Sequence, residues 1–164
     1  MSVGECNSPR RYSSAYRNGP YSVDFNKGGR KKVVMVDFLR TNAKQFLEQA
    51  KFSMQRGFYN LVLFNVEQSV QLNLKYLLYL SSGDFPKTHR LSDLFRLIKA
   101  VDDPCGVYTF YEGNKDFLTV IELSYISSRY LPQSFSEEDA EKALKLGEEF
   151  DKLVEGCVKS TKRY

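Results

Sequence analysis

The chain is 164 residues long, 42% hydrophobic and 27% charged, which suits one globular domain with its own core rather than a disordered segment. No apolar run approaches the roughly 20 residues that span a bilayer, and the N-terminal residues lack the apolar stretch of an export signal, so a cytoplasmic protein is expected. The net charge of +4 is unevenly placed: residues 1–35 hold seven Lys or Arg against Glu5 and Asp24, a balance of +5, leaving −1 for the rest.

Residues 1–35 read as a basic, non-helical N-terminal arm. Asn18-Gly19-Pro20 and the run KGGRKK at 27–32 punctuate it against a long helix. Tyr12, Tyr16 and Tyr21 interleave with Arg10, Arg11 and Arg17. Such an arm can bind nucleic acid through counterion release, or it can pack on the protein through Tyr12, Tyr16, Tyr21 and Phe25.

Residues 36–160 read as the folded domain. A first helix is expected from Asp37, a good N-cap, with Leu39, Ala43, Phe46 and Ala50 as its apolar stripe and Gly57 at its end. A second runs from about Phe58 to Leu80 and is apolar nearly all round, as in the central helix of a bundle. Gly83 and Pro86 break the chain after it. A short third helix follows over about Arg90–Val101, with Leu91, Leu94, Phe95 and Ile98 on one side. DDPCG at 102–106 separates it from a fourth, about Tyr111–Tyr130, which Pro132 stops. Ser136 caps the fifth, and Glu137, Glu138 and Asp139 in its first turn complement the helix dipole. No stretch alternates with the period of a strand. The expected fold is all-α, a five-helix up-and-down bundle.

The second helix carries Gln68, Gln71 and Lys75 at i, i+3 and i+7, one polar face on an otherwise apolar rod. Burying amides and an ammonium is costly unless each finds a partner. The face therefore either looks to solvent, pairs with polar residues of the fourth helix, or lines a polar groove. The chain's one histidine, His89, precedes the third helix, where it could cap that helix with Thr88 or Asp84, or serve a pocket. Tyr76, Tyr79, Tyr108, Phe110 and Tyr111 suit the core or a dimer contact. Cys6, Cys105 and Cys157 share no short spacing and, with one histidine, cannot make a zinc site within one subunit, so unrelated thiols and no metal are expected. No phosphate loop, paired-carboxylate site or Ser/His/Asp set occurs, and no cofactor is expected.

The stretch from Ala50 to Leu97 resembles the HEPN domain family, in its stand-alone archaeal and bacterial type. The resemblance rests on a Gly that ends the first helix, then Phe64, Gln68, Gln71 and Lys75 along the second, and then Pro86, Thr88, His89, Leu91 and Leu94. It continues through Ser128-Arg129-Tyr130-Leu131-Pro132 and an Ala-spaced last helix, covering about residues 37–158. Gln71 stands where family members commonly carry Glu. The resemblance implies a nucleotide- or RNA-associated module, with Gln68, Gln71, Lys75, His89, Arg129 and Tyr130 as its nucleotide-binding residues; a homodimer is expected because the second helix is apolar on too many sides for five short helices to cover and Leu, Phe and Tyr crowd the fourth. In that reading Lys75 and Arg129 take phosphate and Tyr130 stacks on a base. It further implies a non-catalytic partner of a separately encoded minimal nucleotidyltransferase, as in toxin–antitoxin pairs. The alternatives are a metal-independent endoribonuclease with a degenerate site, or a purely structural homodimer. The family's nuclease signature, Arg-x4-6-His, is absent: positions 82–84 hold Ser82, Gly83 and Asp84.

Overall fold

In a computed structural model the chain forms five α-helices: α1 (Gly29–Gln55), α2 (Tyr59–Ser82), α3 (Leu91–Ala100), α4 (Val107–Tyr130) and α5 (Glu137–Thr161). The structure describes residues 29–161 except 102, 104 and 133, with side chains from residue 36 to 159. No strand occurs among the described residues. Residues 1–28, including the arm's tyrosines and Cys6, lie outside them.

α2 is the axis of the bundle and packs against all four other helices. Its Leu63, Val66, Val70 and Leu74 are fully buried, as the all-round apolar sequence requires. α2 ends at Gly83, whose left-handed φ of 78° lets its N–H donate to the Tyr79 carbonyl. α5 approaches closely at Gly147, where a Cβ would lie 3.1 Å from both Leu47 and Val66. Arg40 of α1, Asn73 of α2 and Asp151 of α5 form a partly buried polar clamp. Arg40 donates through Nη1 to Asn73 Oδ1 at 2.7 Å and to an Asp151 carboxylate oxygen, and through Nη2 to Asp151 Oδ2 at 3.2 Å. A guanidinium this enclosed is tolerated because its donors are met by oxygens.

Four expectations are corrected. α1 starts at Gly29, eight residues before Asp37, so Asp37 is an exposed position within the helix and residues 29–35 of the expected arm are helical. Extending a helix that already exists adds a hydrogen bond per residue without a new nucleus, and no proline lies between Pro20 and Pro86 to stop it. The α1 stripe is Val36, Leu39, Ala43, Leu47 and Ala50, with Phe46 half-buried at its border. α4 starts at Val107 rather than Tyr111, because the Asp103 carboxylate accepts hydrogen bonds from the Cys105 and Tyr108 N–H groups at 3.2 and 2.7 Å and draws the chain into its first turn. Cys105 and Cys157 are joined by a disulfide, with Cα atoms 5.5 Å apart, tying the α3–α4 connection to the end of α5. Fifty-two residues separate them in sequence, and only the folding of α5 along α2 brings them together.

The fifth helix follows its sequence closely. Ser136 Oγ accepts from the Asp139 N–H at 3.1 Å, while Asp139 Oδ2 accepts from the Ser136 N–H at 3.1 Å, a reciprocal capping box.

Candidate functional site

α2 brings a carboxylate, Glu67, to the centre of its polar face. Glu67 is completely buried. Gln68 Nε2 donates to its Oε2 at 2.6 Å and Gln71 Nε2 to its Oε1 at 2.9 Å. Burial pushes its pKa up to about 7, against the pull of those two amides. The Glu122 carboxylate of α4 adds to the rise, and Lys75 opposes it. The expectation of a missing carboxylate at position 71 is thus qualified: one stands four residues earlier, one helical turn along the same face.

From Glu67 the network runs outward. Gln71 is buried and makes two contacts to His89: its Nε2 donates to the His89 carbonyl at 3.3 Å, and its Oε1 lies 3.2 Å from His89 Nδ1. His89 is exposed, and its ring stacks on Tyr125 of α4, centroids 5.8 Å apart and planes 8° from parallel. The Arg129 guanidinium lies over the same Tyr125 ring at 4.4 Å, with Phe64 at 5.4 Å and Tyr130 at 5.1 Å. Arg129 Nε also donates to the Tyr125 carbonyl at 2.9 Å. Spacing along α4 explains the grouping: Glu122, Tyr125 and Arg129 follow at i, i+3 and i+7 on the face turned to α2 and α3.

His89 therefore does not cap α3 through Thr88 or Asp84. Those residues serve the backbone, Thr88 Oγ1 accepting from the Arg90 N–H and Asp84 Oδ1 from the Phe85 N–H. The start of α3 is met instead by Glu122, whose Oε2 accepts from the Ser92 N–H at 2.9 Å.

Of the six residues expected at a site, Gln68 and Gln71 are joined by hydrogen bonds through Glu67 and His89 by hydrogen bonds to Gln71, while Arg129 is joined to His89 through Tyr125 and Tyr130 stands under Arg129. Lys75 sits apart from this cluster. It is 6% exposed, and its ammonium faces the Phe85 ring at 5.9 Å. Burial holds its pKa below the ordinary lysine value, partly offset by attraction to Glu67. Sequence reasoning missed Glu67 and Tyr125. Glu67 stands beside Gln68 in the sequence, yet nothing local marks it as buried; Tyr125 gave no signal, because its partners come from two other segments.

The arrangement offers a flat aromatic surface, a guanidinium and an imidazole at the exposed edge of a buried polar network. Chemically that suits a base or sugar against the rings and an anion against Arg129. No cluster that could hold a metal ion occurs among the described residues.

Beside it runs an apolar strip on α4. Leu123, Ile126 and Tyr130 are 63%, 56% and 72% exposed at i, i+3 and i+7, and Leu131 continues it. Of the two helices expected to form a dimer surface, α2 is mostly covered by its own chain, with Leu61 and Leu80 left 44% and 45% exposed near its ends, and α4 carries the contiguous uncovered strip. Tyr76 and Tyr111 are buried and Tyr79, Tyr108 and Phe110 pack against the core, as the core reading requires.

The sequence model of the HEPN domain matches residues 36–157. Among solved structures, the chain is similar to TT1696 from Thermus thermophilus, with 26% identity and a TM-score of 0.60 over 74% of this chain and 96% of that one. No curated protein matches it in sequence.

Proposed function

This chain belongs to the HEPN domain family, and on that premise we propose that it is a non-catalytic, homodimeric nucleotide- or RNA-associated module. His89, Arg129 and Tyr130 meet the ligand, Gln68 and Gln71 hold the site from behind through Glu67, buried Lys75 takes no direct part, and the partner is a separately encoded minimal nucleotidyltransferase of the kind found in toxin–antitoxin pairs. The observation that carries the reading is the convergence of His89 and Arg129 on the one Tyr125 ring. A nucleotide laid there has a guanidinium for its phosphate and exposed Tyr130 for its base. The exposed Leu123–Ile126–Tyr130 strip supports dimerisation beside the same site, since contiguous apolar patches rimmed by polar residues mark interfaces. The same convergence favours a second reading, metal-independent RNA cleavage with His89 as base and Arg129 as phosphate stabiliser.

Isothermal titration with ATP and with a short single-stranded RNA tests the first reading. Arg129→Ala should weaken binding about tenfold or more and leave the melting temperature nearly unchanged, because Arg129 is exposed. Unfolding by that substitution, or undiminished affinity, counts against the site. RNA cleavage by the pure protein that His89→Ala abolishes would favour the second reading.

A further inference from the structure

The hydrogen bonds around Gln71 bear on the tautomer of His89 and on the kind of group it receives. The Gln71 amide nitrogen carries two hydrogens, and both are committed. One points to Glu67 Oε1 at 2.9 Å and the other to the His89 carbonyl at 3.3 Å. A backbone carbonyl only accepts, whatever the state of the Glu67 carboxyl, so turning the amide over would set its oxygen against an acceptor. The Gln71 oxygen therefore faces His89 Nδ1, 3.2 Å away. That oxygen also only accepts, so Nδ1 must be the donor. Glu67 is itself held by Gln68 at 2.6 Å, and the stack on Tyr125 fixes the imidazole plane. A neutral imidazole has one hydrogen. With it on Nδ1, Nε2 presents a lone pair and points away from Gln71.

We infer that Gln71 is a positioning residue that locks His89 in the Nδ1–H tautomer. Nε2 is thereby made an acceptor for a hydrogen-bond donor on the uncharged part of a nucleoside, a ribose hydroxyl or a base amino group, and not for a phosphate oxygen. The ligand half of this inference rests on the nucleotide reading above; the tautomer half does not. It divides the work of the site: Arg129 takes the anion, and His89 tests what is attached to it. A free histidine side chain favours the other tautomer, with hydrogen on Nε2, so the assignment is distinctive.

The chain's single histidine makes the measurement direct. Long-range proton–nitrogen NMR of the full chain, recorded in alkaline buffer on the neutral imidazole, gives both ring nitrogens without an assignment problem. The expected pattern is a protonated Nδ1 and a bare Nε2. In Gln71→Leu and Gln71→Met, checked for folding by circular dichroism, the pattern should revert toward Nε2–H. A wild-type spectrum with hydrogen on Nε2 overturns the inference, as does an unchanged tautomer in folded variants. Adenosine, 2′,3′-dideoxyadenosine, purine riboside and inorganic phosphate are then titrated. Adenosine should shift the Nε2 resonance, and loss of the contacted donor should weaken binding about tenfold. Weakening with dideoxyadenosine assigns the ribose, and with purine riboside the base amino group. Phosphate that shifts Nε2 when adenosine does not overturns the donor class. An Nδ1–H spectrum with no adenosine bound refutes the nucleotide reading and the donor class with it, while the tautomer assignment stands.

Discussion

Replacing Glu67 by Gln isolates the energetic effect of the carboxylate at the centre of α2. The carboxyl is pushed from an ordinary value of 4.5 to about 7, chiefly by burial. Between those values the native state holds a proton that the unfolded state has released, so stability falls as pH rises and levels off above about 7. A shift of two and a half units at 1.36 kcal/mol each corresponds to about 3 kcal/mol lost from the wild type across that range. Glu67→Gln keeps the shape and an acceptor for one of the two amides, and half-buried Gln68 can turn its amide to meet the new N–H. Urea unfolding followed by circular dichroism at pH 5, 6, 7 and 8 gives the stability of both proteins. The variant's advantage should grow from about 1 kcal/mol or less at pH 5 to about 3 kcal/mol at pH 8. Other titrating groups are common to both proteins and drop out of the difference. A difference independent of pH, or a variant less stable than wild type at pH 8, refutes the account of Glu67 as a buried charge held against its preference.

Ile126→Glu should convert a dimer to a monomer in sedimentation velocity at micromolar concentration, because it sets a charge in the exposed α4 strip; a wild-type monomer under those conditions removes the dimer from the proposal. Reducing the Cys105–Cys157 bridge should lower stability by about 4 kcal/mol, the chain entropy of a 52-residue loop, and calorimetry with and without dithiothreitol reads it. Deleting residues 1–28 removes Arg10, Arg11, Arg17 and Lys27 but leaves α1 whole. Nonspecific RNA binding should then weaken, and its log–log salt slope should flatten by up to about 3, with the melting temperature close to that of the full chain.

The order and approximate span of the helices were legible because their signals are local. Gly57, Gly83, Pro132 and Ser136 punctuate the chain, and the α2 run is apolar on every side. The start of α1 was not, since Asp37 has the chemistry of a cap yet lies within a helix that simply continues past it. The polar face of α2 was legible as Gln68, Gln71 and Lys75, but its centre was not. Glu67 is tied to that face by one helical turn, and its burial depends on helix packing that also brings Glu122 of α4 near it. Tyr125 and the Cys105–Cys157 bridge depend on contacts 36 and 52 residues apart, between His89 and Tyr125 and between the two cysteines. Residue type at either end says nothing of such pairings until the helices are packed.

The position of α2 also has a consequence for synthesis on the ribosome. Its earliest partner, α1, is already made when α2 emerges, and the two can pair through their three-residue turn. Its last partner, α5, ends at Thr161, 79 residues after Ser82. At roughly 5–20 residues per second, the side of α2 that α5 covers, including Val66, waits about 4–16 seconds after the helix is complete for the whole of α5 to be made. An apolar helix face left open that long is exposed to off-pathway association until α5 is made.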